Sequence, residues 1–486
     1  MGYDNILLAA VFIPILGAFL LPLAGRVSTG FRNLLAFLLV AASFVLCAKL
    51  IPFVLSGEHI VIRRDFVLGI NFLLEADALA VFMACVSSLT SAIIVLYSIS
   101  YISHYENQNE YYSMVVLFLG SMMGLIFSAN LILLYIFWEI TAITSWRLIG
   151  FFRKKEFILR ADKAFLVTAF GAIAMLIGFI GLYQQAGSFD LSAVKEAFKV
   201  NPVPNIIVIL ILAGIFSKSA TLPFHTWLPD AGVAPSPVTA LLHAAVLVKI
   251  GVYVFARIFI VNITLAHIWH VAVPAVALAS AVVSAGAALV ETDLKRIIAY
   301  STISQIGFIF FGFAVGNNVA VEGALLYILM HGLAKAGLFL CAGIIEQTTH
   351  TKDISKLGGL IKTMPVTAVS FLACAFSVMG VPPFGGFFSK YMLFGGALKS
   401  GQLLMSVLFL GAAFLTIMYL FRVFNMVFLG ETKFPEAREK GPVTLFSVAL
   451  LAGLASRQPA RASPSLLLVL PHRPFALFAR KTSNQL

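Results

Sequence analysis

Charge is scarce in this chain. Asp, Glu, Lys and Arg make up 11% of its 486 residues, 60% are hydrophobic, and the mean hydropathy is +1.00. A soluble core of that length would need far more polar surface to cover it, so a water-soluble globular protein is excluded. Cysteine is scarcer still. Cys47, Cys85, Cys341 and Cys374 stand singly in apolar runs without CxxC spacing, which reads as packing and not as iron–sulfur or zinc ligation. The short alternating segments of a closed β-barrel are missing. So are a phosphate-binding loop and a nucleophile–base pair, which argues against an enzyme acting alone and against any cofactor held by this chain. The first apolar run, 5–24, has no basic stretch ahead of it and reads as a retained span, not a cleaved signal. The formal charge of +12 does not point to nucleic acid, because the basic residues fall in short loops between apolar runs, the pattern of membrane orientation.

What the chain has in abundance is long apolar runs. Read between polar breaks, they predict an all-α polytopic membrane protein of about 14 transmembrane helices. The predicted spans are 5–24, 31–55, 76–101, 111–129, 131–152, 163–186, 204–223, 236–260, 271–290, 296–316, 321–346, 364–399, 402–430 and 442–455. The twelfth is too long for one crossing: at about 1.5 Å per residue it would far exceed the roughly 30 Å of hydrocarbon. It contains "GVPPFGGF" (380–387), so a helix broken at mid-depth is expected. Alternate loops carry about 15 Lys and Arg on one side and about 5 on the other, which predicts a plasma-membrane protein with both termini outside the cytoplasm. The basic side holds Arg26, Arg32, "RKKEFILRADK" (153–163), Lys295, Arg296, Lys352, Lys356, Lys362, Lys433, Arg438 and Lys440.

Spans 7 and 12 each carry a lysine beside a proline break, five spans apart. That predicts two inverted five-helix repeats, each with a broken fourth helix, a device that marks ion sites in transporters. The expected division is a three-helix segment (1–105), a first repeat (106–262), a second repeat (263–430), and a short last helix with an atypical tail (431–486).

Charged groups near the bilayer centre cost about 2.5–3.5 kcal/mol on insertion scales and persist where they pair or line a hydrated path. Glu139 lies in "LILLYIFWEITAITSW", Lys218 just before the first break, and His243 and Lys249 in "LLHAAVLVKIGVYV". His331 and Lys335, in "YILMHGLAKAGLFL", share a helix face, and Lys390 follows the second break. His243 and Lys249, six apart on a regular helix, would point about 120° away from each other. Glu139 and any one lysine could simply neutralise each other and hold helices together. Four lysines against one clear acid leave surplus cations, and an amine taken out of water exchanges its proton more readily near neutral pH. Histidine titrates there unperturbed. Lys218, Lys249, Lys335 and Lys390 with these histidines therefore read as a water-bridged proton relay. His225, after Pro223, is either a further member or a group that satisfies the broken backbone. Arg257 and Arg422, near span ends, read as snorkelling anchors.

The segments "FSKSATLPFHTWLPDAGVAPSPVTALLHAAVLVKIGVYV" (216–254), "ETDLKRIIAYSTISQIG" (291–307), "LMHGLAKAGLFLCAGIIEQTTHTKDISKLGGL" (329–360) and "GVPPFGGFFSKYMLF" (380–394) together resemble the signature of the antiporter-like membrane subunits of respiratory complex I. That family includes the large subunits of Mrp-type cation/proton antiporters and of membrane-bound hydrogenases. The resemblance spans about residues 70 to 430 and leans toward the Mrp and hydrogenase branches, while "WEITAITSWRLIGFF" is shared with the complex I proton-channel subunit. It implies a 14-helix core in which Glu139 and Lys218 form an ion pair, His243 and Lys249 are relay positions, His331 and Lys335 are the central pair, and Lys390 lies on the exit side. It also implies neighbouring membrane subunits and an attached redox module that holds the cofactors. The transported ion would be H+, with Na+ as the alternative. The leading reading is a proton-translocating subunit of a complex I-like or related membrane assembly, the alternative an Mrp-type Na+/H+ antiporter subunit or a membrane-bound hydrogenase membrane subunit, and a purely structural scaffold the third. Two features depart from the family: "KAFLVTAFGAIAML" (163–176) lacks a charge pair after Lys163, and the tail 455–486 places Arg457, Arg461, Arg473 and four prolines where a full last helix is implied. A frame-shifted gene end and an amphipathic surface tail both fit that tail.

Overall fold

Apolar runs bounded by capping residues set the helix limits. The structure, a computed structural model, describes residues 2–65, 71–439 and 441–457. In chain order its elements are α1 (Tyr3–Val27), α2 (Thr29–Leu55), β1 (Ile60–Asp65), β2 (Asn71–Ala76), α3 (Ala78–Tyr101), α4 (Gln108–Phe127), α5 (Leu131–Ile149), α6 (Lys155–Ala186) and the short α7 (Leu191–Ala197). There follow α8 (Asn205–Lys218), α9 (Trp227–Asp230), α10 (Ser236–Ala240), α11 (Leu247–Phe255), α12 (Trp269–Val290), α13 (Leu294–Val315), α14 (Asn318–Thr349), α15 (Pro365–Met379), α16 (Gly385–Lys399), α17 (Leu403–Phe428) and α18 (Pro442–Ser456). Among the described residues, eleven helical stretches are long and apolar enough to cross a membrane, and α8, α15 and α18 are shorter apolar helices.

Both expected breaks are present. α8 ends at Lys218 and the chain turns through Leu222–Pro223 before α9; α15 ends at Met379 and α16 begins at Gly385. Gly380 has φ +80°, the left-handed C-terminal position that glycine fills without strain. Gly386 lies so close to the Ser377 carbonyl that a Cβ would collide with it, so the first turn of α16 packs onto the last turn of α15 only because that residue is glycine.

The inverted repeat shows in two matching bridges. Asn130, the N-cap of α5, pairs with Asp190 beyond α6, and Asp293, the N-cap of α13, pairs with Asp353 beyond α14, the same separation in sequence. The two sit at opposite ends of the molecule. Lys163, in the first half of α6 and near the end of α5, reaches Asp230 (2.7 Å), which also binds Arg296 (2.8 Å) at the start of α13. The end of α5 and the beginning of α13 therefore lie together, and the two helices run in opposite directions.

Several expectations need correction. The basic stretch before span 6 is helical, since α6 starts at Lys155. An antiparallel hairpin, β1–β2, stands where no strand was expected; its alternation covers one face only (Ile60 and Ile62 buried, Val61 exposed) and is too short to register beside the long runs. Arg257 is no snorkelling anchor: it is 4% exposed and binds Asp77 through two hydrogen bonds of 2.6 and 2.7 Å. Arg422 donates to the carbonyls of Leu289 and Glu291 and so caps the end of α12. Lys440, Arg461 and Arg473, with the tail after Arg457, lie outside the described residues.

A candidate ion path of buried amines

Each break places an ammonium group in the protein interior: Lys390 meets a carbonyl freed at the end of α15, and Lys218 reaches a carbonyl in the middle of α5. Lys218 is the last residue of α8, and Lys390 of α16 reaches back to the end of α15, donating to the Val378 carbonyl at 2.6 Å. Both cations thus sit at the C-terminal ends of half-helices, where the backbone dipole favours positive charge. Lys218 is fully buried; it donates to the Trp138 carbonyl at 3.1 Å and lies 5.2 Å over the Trp138 ring. Glu139 is next in sequence to Trp138, yet no contact ion pair forms between Glu139 and Lys218 within 4 Å among the described residues. The carboxyl group lies within electrostatic reach of Lys218 and beside Tyr135, one helical turn back on α5. Glu139 is half-buried, on the same side of α5 as the exposed Ile136 and Ile143.

Protein groups satisfy the first break. The Trp227 indole donates to the Ser217 carbonyl (2.9 Å), and the Leu222 amide donates to Ser280 Oγ (3.1 Å). His225 does not perform this role: its ring Nδ1 has no hydrogen-bond partner. Ser219 Oγ donates to the Val248 carbonyl (2.9 Å) and ties the break to the helix that carries Lys249.

His243 lies in a π-helical turn, 241–245, and Val246 departs from helical geometry with φ −131° and ψ −73°. The regular-helix spacing that would send His243 and Lys249 apart does not apply. Both face α14: His243 packs on Phe339 with ring centroids 4.5 Å apart, and Lys249 Nζ lies against Gly332, where a Cβ would collide with it. On α14, His331 sits within electrostatic reach of Lys249, Lys335, Lys390 and His243, which makes it the centre of the group. Lys249 Nζ and both ring nitrogens of His243 and His331 have no protein hydrogen-bond partner, although all three residues are fully buried. Buried polar groups of that kind call for bridging water. Lys335 is fully buried and donates to the Ile298 carbonyl (3.3 Å) and to Ser301 Oγ (2.5 Å).

Of the residues selected from sequence, His243, Lys249, His331, Lys335 and Lys390 gather in one buried row along α14, and Lys218, at the first break, adjoins it through the Ser219–Val248 bond; Glu139, half-buried near Lys218, and His225 are not part of the row. Ser301, Gln305, Tyr327 and Tyr419, which bond to this row or to each other, do not stand out in the sequence. A polar stripe on α13 facing Lys335 was the signal available. Among the described residues no cluster of His, Cys, Asp and Glu fits a metal ion.

The family described as "NADH:quinone oxidoreductase/Mrp antiporter, TM" matches residues 128–416. The chain is 34% identical to a Na(+)/H(+) antiporter subunit of Staphylococcus saprophyticus, over 92% of this chain and 60% of that protein. It is 35% identical to a Na(+)/H(+) antiporter subunit of Alkalihalophilus pseudofirmus, over 88% of this chain and 56% of the relative. This chain thus spans at most about 60% of these relatives' length. In fold it is similar to a chain of the Mrp complex from Dietzia sp. (TM-score 0.87, 22% identity, 96% of each chain). It is equally similar to one in the membrane-bound sulfane sulfur reductase, an archaeal respiratory membrane complex (TM-score 0.87, 25% identity, 95% of this chain and 96% of that one). With broken helices, matching bridges and a buried row of amines lying within or beside the matched segment, the chain is a multi-pass membrane protein that belongs to the NADH:quinone oxidoreductase/Mrp antiporter family.

Proposed function

We propose that this chain is the proton-conducting, antiporter-like subunit of an Mrp-type assembly, and that protons pass along Lys218, Lys249, Lys335 and Lys390 with His243 and His331 between them. The observation that carries this reading is the absence of a contact carboxylate for any of the four ammonium groups among the described residues. They are 0–6% exposed and held by carbonyls and a hydroxyl where they have partners at all. Dipoles stabilise a cation less firmly than a contact anion does, so such amines can give up and regain a proton. Glu139 modulates Lys218 across a short gap, and its face of α5, with Ile136 and Ile143, supports a seat for a neighbouring membrane subunit. The names of these relatives favour exchange of H+ against Na+, and the excess of Lys and Arg in alternate loops favours a plasma-membrane orientation with the basic end in the cytoplasm and the amino terminus outside. The likeness to the archaeal reductase supports a second reading, in which a redox module held by partner subunits drives the same path. No cofactor is assigned to this chain.

The test is proton transport by the assembled complex in membrane vesicles. Lys218→Ala and Glu139→Ala are each expected to reduce it at least tenfold, and wild-type rates in both would refute the path. Proton movement that requires external Na+ selects the antiporter; movement that follows addition of a reductant selects the second reading.

A further inference from the structure

The side chains around Lys335 form a hydrogen-bonded chain that extends away from the amine row. Ser301 Oγ accepts from Lys335 Nζ at 2.5 Å and from the Tyr419 hydroxyl at 2.5 Å. Tyr419 also interacts with the side chains of Thr416 and Gln305, and Gln305 Nε2 donates to Thr416 Oγ1 at 3.3 Å. Gln305 Oε1 accepts from the Tyr327 hydroxyl at 2.5 Å, and the Tyr327 ring lies 5.6 Å beneath Lys390 Nζ. Every member of this chain is fully buried. It draws on α13 (Ser301, Gln305), α14 (Tyr327) and α17 (Thr416, Tyr419), and α17 contributed nothing to the row described above.

The direction of the bonds matters. With Lys335 charged, its ammonium and the Tyr419 hydroxyl both donate to the same serine oxygen, which has a lone pair for each but accepts each less strongly than it would alone. With Lys335 neutral, its nitrogen accepts, Ser301 turns its hydrogen toward it, and Tyr419 to Ser301 to Lys335 runs head to tail. Bonds aligned in that way reinforce one another. The chain therefore favours the neutral amine through Tyr419 and the charged amine through the Ser301 oxygen. Gln305 does not pass a proton onward, since an amide does so only through its disfavoured imidic tautomer; it orients Tyr419 and Tyr327.

We propose that Ser301 and Tyr419 are positioning residues for Lys335: Ser301 holds its ammonium, and Tyr419 eases release of the proton to the row. The proton itself leaves the Lys335 nitrogen toward His331 or a bridging water, and the nitrogen lone pair then accepts from Ser301. This inference rests on the proposed proton path. The titratable groups that face Lys335 are His331 on its own helix, His243 on the π turn, Lys390 on α16 and Tyr419 on α17.

The test measures proton transport against pH in vesicles carrying the full complex, for wild type, Lys335→Ala, Ser301→Ala, Ser301→Thr and Tyr419→Phe. Loss of the Ser301 acceptor moves the alkaline limb of the profile about one pH unit toward acid, the size of a hydrogen bond to a charged group. Ser301→Thr restores it. Tyr419→Phe moves the limb the other way by roughly half as much. Opposite shifts from two neighbouring hydroxyls are not what a purely structural role produces, and Tyr419→Phe, which keeps its ring, tests the idea even if Ser301→Ala does not assemble. If Lys335→Ala loses transport while the Ser301 and Tyr419 profiles superimpose on wild type, this inference falls and the path stands. If Lys335→Ala transports like wild type, the path itself falls.

Discussion

Two groups of cations in this molecule are held in different ways. At the basic end, Lys295 is 2% exposed and binds Glu346 at 2.6 Å, Arg296 binds both Asp230 and Glu291 at 2.8 Å, and Lys352 binds Asp293 at 2.8 Å. Arg257, at the other end, is locked to Asp77. In the middle, Lys218, Lys249, Lys335 and Lys390 touch no carboxylate among the described residues. A charge with a fixed counter-ion is part of the scaffold, because removing either partner strands the other. Removing a charge held by dipoles leaves at most a carbonyl or hydroxyl without that donor, a smaller cost than a stranded buried charge, so its retention calls for a role in what the protein does.

The largest effect expected from this contrast is structural. Arg257→Ala leaves the Asp77 carboxylate buried and unpaired, so it costs about 3–5 kcal/mol and shows as a clear fall in the melting temperature of the purified complex. Arg257→Met with Asp77→Asn recovers most of the loss. Next comes Lys335→Met. It removes an unpaired buried charge at nearly constant volume, so the melting temperature stays level or rises while proton transport falls at least tenfold. A destabilisation as large as that of Arg257→Ala would erase the distinction between the two populations. The smallest effect concerns the Glu291 loop. Burial there would raise the Glu291 carboxyl, but hydrogen bonds from Arg296 and from the amides of Asp293 and Thr292, with the Arg296 charge, hold it below the ordinary carboxylate range. Its contribution is present above the unfolded carboxylate value and is lost as pH falls through the lower folded one. Glu291→Gln should therefore lower the melting temperature at neutral pH by about 1–2 °C, and the difference should vanish in acid. An equal difference at both pH values would refute it.

Much of this was legible in the sequence because hydrocarbon imposes simple rules. Run length placed the helices, and the proline breaks placed both half-helix junctions to within a few residues. Rarity of charge picked out the whole row and Lys218 beside it. What was not legible depends on contacts across the fold. Arg257 resembles any span-end arginine until Asp77, at the start of α3, is brought to it. Ser301 and Tyr419 are ordinary hydroxyl residues until α13 and α17 meet at Lys335. The relation of His243 to Lys249 escapes spacing arithmetic for a local reason: that arithmetic assumes a regular helix, and this one is not.

The π turn at 241–245 has a consequence of its own. A turn closed by bonds five residues apart accommodates one more residue than an α-helical turn of the same rise, so it displaces the angular register of everything beyond it by roughly a quarter of a revolution. Lys249 meets Gly332 downstream of that displacement. Deleting a single residue there would leave a smoother helix of the same composition, yet swing the amine away from α14 and separate it from its neighbours.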